Sequence, residues 1–227
     1  MKVLIVEDNA DLSASMVQYF ARERYVYNTA FNCEEALDRL AAFDYDMVIL
    51  DLMLPDGNGL DILKVVKKEY SHIGILIISA KGSLDDRLKG LDMGADDYIT
   101  KPFHLSELNS RVKAIYRRRH FEGSNEIVFN EIRINPDTLE VLVCDAPISL
   151  TRKEYELLVY FLANKDRLLT KQAIAEHLWG DHMDLQDSFD FVYQHIKNLR
   201  KKISAAGGTD YLATLYGMGY KFNTRVS

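Results

Sequence analysis

Residues 46–59 read DMVILDLMLPDGNG. Met47 to Leu50 form a short apolar run of β-formers, the pattern of a buried strand. Asp51 then puts a carboxylate where an apolar strand should be ending. Pro55, Asp56-Gly57 and Asn58-Gly59 break the chain straight afterwards, so a loop follows the strand. In open α/β sheets the chemistry sits just outside the carboxyl ends of the strands. Asp51 is therefore either a polar loop group or the reactive centre of a site.

Other strand ends decide between the two. KVLIVEDN is a second strand of the same kind and ends in Glu7 and Asp8. GILIISA ends near Ser79, and ADDYITKPF ends in Lys101-Pro102. If these strands lie parallel in one sheet, their polar ends converge on one edge. Three crowded carboxylates repel and raise one another's pKa. Mg²⁺ relieves this, because it takes one or two carboxylates together with waters and phosphate oxygens. In such a site Asp8 and Asp51 are direct ligands and Glu7 acts through water. Asp51 is the carboxylate nucleophile toward a phosphoryl donor. Lys101 and the Ser79 hydroxyl hold the new phosphoryl oxygens by charge-assisted hydrogen bonds. The Lys101-Pro102 bond is a candidate cis peptide. Taken singly, Lys101 reads as a solvated loop lysine; taken with the other strand ends, it reads as part of a site.

The motifs VEDN, VILDLMLPDGNG, IISA and ADDYITKPF, in this order, resemble the receiver of two-component response regulators of the OmpR/PhoB type. The resemblance covers nearly all of the chain. It implies that Asp51 is phosphorylated by a sensor histidine kinase and that Met53 lends a backbone carbonyl to Mg²⁺. It also implies that Tyr98 is the switch aromatic, turning inward as the Ser79 hydroxyl moves to the phosphoryl group. Many members carry threonine at this position; Ser79 keeps the hydroxyl. Arg87, Asp96, Asp97, Glu107, Arg111 and Arg118 match the charges through which the family forms a homodimer on phosphorylation. Opposite charges of this kind can pair across a two-fold axis. The plain alternative is solvated surface charge, since exposed pairs are worth only ~0–1 kcal/mol each.

Residues 1–119 alternate apolar runs with amphipathic stretches, as in a doubly wound α/β domain. Helices are expected over about 10–23, 33–42, 59–68, 84–93 and 105–119. Arg117, Arg118, Arg119 and His120 suit a helix C-terminus, where cations oppose the dipole. The expected organisation is a five-stranded parallel-sheet receiver over 1–120, a linker over 121–125, and a winged helix-turn-helix α+β domain over 126–227. Cys33 and Cys144 lie far apart without metal-ligand spacing, which points to a reducing compartment, the cytoplasm. The start, MKVLIVED, is neither a signal peptide nor a membrane span, and no membrane partner is expected.

After Glu126 the pattern changes. EIVFNEIRI, LEVLV and PISL read as a small antiparallel sheet, with a turn at Asn135-Pro136-Asp137. Thr151-x-x-Glu154 is a capping box opening a helix. A second helix is expected from Leu169-Thr170 to Gly180, and a long third one from Ser188 to about Ala205. YLATLY and YKFNTR flank Gly217-Met218-Gly219, a hairpin wing. Residues 122–227 carry 12 Lys/Arg and 15 Asp/Glu, an unusual balance for a DNA-binding domain. The distribution favours a contact surface all the same. Residues 195–227 hold six Lys/Arg against one acid, and residues 122–194 hold six against 14.

In the long helix Ile196, Leu199 and Ile203 keep helical spacing and should face the core. Gln194, His195, Lys197, Asn198 and Lys201 are left for the outer face. Gln and Asn can read adenine edges, and Lys suits guanine or phosphate. The ordinary reading is a wet basic helix face; with a preceding helix and a glycine-rich wing, recognition of double-stranded DNA in the major groove is favoured. LTRKEYELL, LLTKQAIAEHLWG, HIKNLRKKI and YGMGYKF resemble the same family's output domain. Tyr193 stands where many members have Asp, and Tyr216 where several have a wing Arg. The loop between the second and third helices is a candidate contact for RNA polymerase in the family, through Asp181 and Asp184 here.

The expected function is a phosphorylation-switched transcription regulator and not an enzyme. One alternative is a Mg²⁺-dependent phosphohydrolase using Asp51 covalently. Such an enzyme needs a positioned general acid/base, usually two residues after the nucleophile, where this chain has Met53. A second alternative is an orphan regulator that dimerises without phosphate.

Overall fold

The computed structural model describes residues 1–80, 84–121, 123–124, 126–180 and 185–225, with the backbone alone for 84–87 and 185–188. The chain divides into two compact units, Met1–Arg119 and His120–Ser227.

The first unit alternates strand and helix: β1 (Lys2–Val6), α1 (Ala10–Arg22), β2 (Val26–Ala30), α2 (Cys33–Ala42) and β3 (Met47–Asp51). A short ladder of β4 (Met53–Leu54) with β5 (Gly57–Asn58) follows. Then come α3 (Gly59–Glu69), β6 (Gly74–Ala80), α4 (Leu84–Asp92), β7 (Asp97–Lys101) and α5 (Leu105–His120). β1 and β3 are buried at every position, and β6 at all but its last, as a sheet covered on both faces requires. β2, reading VYNTA, mixes polar and apolar residues and takes the edge. The parallel strands run in the order β2-β1-β3-β6-β7. Connections reverse direction between β1 and β3, which opens a crevice at the carboxyl ends of those two strands.

Helices flank both faces. Leu4, Val6, Val48 and Leu50 pack on one side with Leu40, Leu63 and Val66. Val3, Ile5, Met47 and Ile49 pack on the other with Phe20, Val112 and Ile115. Each aliphatic chain so buried is worth roughly 1.5–3 kcal/mol. Three helices start where asparagine caps them: Asn9, Asn32 and Asn58 accept from the N–H groups of Leu12, Glu35 and Leu60.

The second unit opens with an antiparallel sheet ordered β11-β10-β9-β8. Its strands are β8 (Ile127–Phe129), β9 (Ile132–Asn135), β10 (Glu140–Val143) and β11 (Ala146–Pro147). α6 (Arg152–Ala163) begins at the Thr151/Glu154 capping box, both halves of which form. Next are β12 (Leu168–Leu169), α7 (Lys171–Trp179), α8 (Leu185–Ala205), β13 (Leu212–Leu215) and β14 (Gly219–Phe222).

One expected boundary is corrected here. Leu169 does not start a helix; with Leu168 it pairs antiparallel to β14, and the Thr170 hydroxyl caps α7 by accepting from Ala173 N–H at 3.0 Å. β14 thus lies between β12 and β13. Gly219 sits at φ +146°, where an added Cβ would come within 2.1 Å of the Leu169 carbonyl oxygen, so only glycine closes this sheet. The long helix also starts earlier than Ser188, at Leu185. Among the described residues, no helix is long and apolar enough to cross a membrane.

Candidate functional site

The strand order brings Glu7, Asp8, Asp51 and Lys101 to one place. Glu7 follows β1, Asp51 ends β3, and Lys101 ends β7. Glu7 and Asp51 are buried, at 0 % and 3 % exposure, while Asp8 is exposed. One carboxylate oxygen from each of Glu7, Asp8 and Asp51 falls within 4.8 Å of the others. Lys101 Nζ lies 2.5 Å from Asp51 Oδ2 and 2.6 Å from Glu7 Oε2. The Lys101-Pro102 peptide is cis.

The electrostatics follow from this crowding. Burial, with the Asp51 charge adding to it, raises Glu7 above the usual carboxylate range, against the pull of Lys101. Burial works against the Lys101 ammonium, but its hydrogen bonds to Asp51 and Glu7 outweigh that and raise its pKa. The second Asp51 oxygen accepts the Met53 N–H at 3.0 Å, so the loop after β3 is tied back to the carboxylate. The Met53 side chain itself is 68 % exposed.

Ser79 is buried in β6, in register with Thr100 of β7; Ala80 pairs with Lys101 and Ile78 with Asp51. Tyr98 is also buried, at 3 % exposure, and lines a small cavity of about 150 Å³ with Thr100, Pro102, Glu107 and Arg111.

The six charges expected on a pairing face behave differently from one another. Arg111 bridges Asp97 at 2.8 Å and Glu107 at 2.9 Å within the same chain. Asp96 is engaged on several sides: it accepts from Ile75 N–H at 2.8 Å and pairs with Lys67 at 3.2 Å and Arg119 at 3.0 Å. Arg118 is exposed and donates to the Asp96 carbonyl. Arg87 lies on α4, with its side chain outside the described residues.

In the second unit Val192, Ile196, Leu199 and Ile203 are buried along α8. Gln194, Lys197, Asn198 and Lys201 are exposed at i, i+3, i+4 and i+7, one stripe on the opposite face. His195 departs from that stripe. It is half-buried with its ring 5.8 Å from that of Trp179 on α7, and burial lowers its pKa. Two of the six basic residues near the C-terminal end are engaged inside the unit. Arg200 donates to the Leu212 carbonyl and pairs with Asp210. Lys202 reaches Glu154 at 2.6 Å, tying α8 to the capping box of α6. No sequence pattern marks that tie, because the partners are 48 residues apart. Asp181 and Asp184 lie outside the described residues. Tyr216, at the wing tip, is 93 % exposed.

The geometry agrees with what the chain matches. Residues 3–113 match the response regulator receiver domain family, and residues 145–222 match the family described as transcriptional regulatory protein, C terminal. Transcriptional regulatory protein CiaR of Streptococcus pneumoniae is 38 % identical over 220 residues, covering 97 % of both chains. Response regulator ArlR of Staphylococcus aureus is 36 % identical over 219 residues, covering 96 % of this chain and 98 % of that one. A solved CheY-like receiver domain protein from Methanospirillum hungatei JF-1 is 26 % identical with a TM-score of 0.52, over 53 % of this chain and 97 % of that one. The chain belongs to the OmpR/PhoB-type response regulators of two-component systems, with a receiver followed by a DNA-binding domain.

Proposed function

We propose that Asp51 is the phospho-acceptor and that its modification by a sensor histidine kinase drives dimerisation and sequence-specific DNA binding. The observation that carries this reading is the meeting of Asp51 with Glu7, Asp8 and Lys101 at the carboxyl edge of the parallel sheet. An Asp51 carboxylate oxygen forms a bond to phosphorus while the P–N bond of the donor phosphohistidine breaks, and the departing ring nitrogen keeps the electron pair. Lys101 already touches Asp51 and is placed to hold a transferred phosphoryl oxygen. Ser79, one residue beyond the Ile78 that pairs with Asp51, lies at the same end of the sheet and would supply a hydroxyl.

The donor set fits a Mg²⁺ ion: three carboxylates meet with a single ammonium between two of them, which leaves negative charge for a hard cation. Glu7, Asp8, Asp51 and the Met53 carbonyl would hold it, and it would neutralise charge on the phosphoryl oxygens. The Met53 thioether can neither give nor take a proton, which favours an acyl phosphate that persists as a signal over rapid turnover. The test is exposure of the full chain to acetyl phosphate with Mg²⁺, followed by intact mass and peptide mapping. The expected result is one phosphoryl group on the peptide holding Asp51; modification elsewhere, or none, overturns the reading.

For the output unit, the exposed stripe of Gln194, Lys197, Asn198 and Lys201 is the major-groove face, and His195 supports it from behind through Trp179. A homodimer would present two such helices to DNA. Arg87, Asp96, Asp97, Glu107, Arg111 and Arg118 would supply its pairing charges, with Asp97, Glu107 and Arg111 exchanging the in-chain pairs they now make. RNA polymerase is the expected further partner, and the cytoplasm the expected compartment. Lys201→Ala should weaken binding to all DNA sequences and flatten the plot of log affinity against log salt by about one unit. A binding titration at several salt concentrations reads this directly; an unchanged slope places Lys201 away from phosphate.

A further inference from the structure

The loop that follows Asp51 is braced at a point the chemistry above leaves unused. Asp56 sits at the tip of the β4–β5 ladder, exposed, with its carboxylate turned to the N-terminus of α2. One oxygen accepts the Cys33 N–H at 2.8 Å and the other the Glu34 N–H at 3.0 Å. Both donors belong to the first turn, which has no partners within its own helix and favours negative charge. The Cys33 N–H bond above all holds the Asp56 carboxyl below its ordinary range. Burial, with Asp56 beside it, pushes the Cys33 thiol up to about 11, so it stays a protonated S–H against that carboxylate. The ladder also approaches closely here: a Cβ on Gly57 would meet Cys33 Sγ at 3.1 Å.

The other end of the ladder is fixed as well. Gly59 donates its N–H to the Leu52 carbonyl at 3.0 Å, and Asn58 caps α3. Between these two anchors lies Met53, paired with Asn58 across the ladder and donating its N–H to Asp51. A two-residue ladder alone is too short to hold its shape. Its geometry must come from what it is tied to.

We propose that Asp56 is a positioning residue for phosphoryl transfer: by clamping the ladder to α2 it fixes the Met53 backbone against Asp51, and with it the carbonyl that would face Mg²⁺. The inference rests on the reading of Asp51 as phospho-acceptor. Asp56 touches neither the phosphoryl donor nor the reacting oxygen. It acts through four residues of backbone, as outer groups that orient a ligand do.

The test compares two ways of uncapping the same helix in the full chain. Asp56→Ala removes the loop's clamp. Asn32→Ala removes the helix's own cap, the acceptor for Glu35 N–H, and leaves the loop alone. Each should lower the receiver's thermal transition by a similar few degrees, roughly 4 °C. Only Asp56→Ala should also weaken Mg²⁺ binding, read by calorimetry with MgCl₂, and slow uptake from acetyl phosphate, each by about tenfold. In that uptake Asp51 forms the new O–P bond and acetate leaves with the electron pair of the broken one. Asp56→Asn keeps a carbonyl acceptor and should restore both readouts part of the way. Equal Mg²⁺ affinity and uptake in Asp56→Ala and Asn32→Ala would reduce Asp56 to a helix cap and overturn the proposal. If the wild-type chain takes up no phosphoryl group, the reading of Asp51 fails instead, and the MgCl₂ titration alone decides the role of Asp56.

Discussion

Asp51→Asn should abolish phosphoryl uptake while leaving the chain folded. The amide has the volume of the carboxylate but no nucleophilic oxygen anion, and losses on removing a nucleophile are on the order of 10³-fold or more. The fold should tolerate the change because Asp51 is held by short-range contacts that an amide can partly keep. Its oxygen can still accept the Met53 N–H. The amide N–H₂ then faces the Lys101 ammonium, donor against donor, so Lys101 shifts its weight onto Glu7, which it already reaches at 2.6 Å. Relief of the Asp51 charge removes one of the causes that raise the Glu7 pKa. Mg²⁺ affinity should fall roughly tenfold as the proposed ligand loses its charge. Intact mass after exposure to acetyl phosphate, beside a thermal melt, checks both halves of the prediction. Uptake near the wild-type level in a folded Asp51→Asn chain would move the acceptor elsewhere.

Phe222→Ala should have the largest effect on stability, and only in the second unit. Phe222 is fully buried in β14. Its ring lies 5.2 Å from Phe129, edge-on at 74°, and 5.2 Å from Tyr211, stacked at 24°. Truncating a buried Phe costs about 3–5 kcal/mol, against a total of about 5–15 kcal/mol for a typical domain. The thermal transition of this unit should drop by more than about 10 °C, and DNA binding should go with it. Phosphoryl uptake at Asp51 should stay as in wild type, because the core around Phe222 shares no residue with the two cores of the receiver. A loss below about 1 kcal/mol, or a parallel loss of uptake, would contradict this account.

The receiver was legible because its signals are local and strong. Runs such as VLIV, MVIL and ILII can be little else than buried strands, and α2 covers the residues 33–42 that its amphipathic pattern marks. The meeting of Asp51 with Glu7, Asp8 and Lys101 followed from one assumption, parallel strands, which the sheet satisfies. The buried face of α8 was equally readable from Ile196, Leu199 and Ile203. Features that depend on a distant partner were not. Leu169-Thr170 looks like the start of a helix until β14 arrives to pair with Leu169. His195 looks exposed on a helical projection because Trp179 belongs to another helix. Arg200 and Lys202 count as basic surface by composition, yet one is drawn to Leu212 and Asp210 and the other to Glu154. Asp56 reads as a turn residue, and only the fold brings α2 to it.

The central place of Gly219–Phe222 in its sheet also orders events during synthesis. Everything the receiver needs lies before residue 121 and so emerges from the ribosome first, and domains tend to fold as they emerge. The DNA-reading unit has to wait for residue 222, since until then Leu168–Leu169 has no strand to join and its core lacks a wall. A nascent chain therefore becomes able to take a signal well before it is able to act on one.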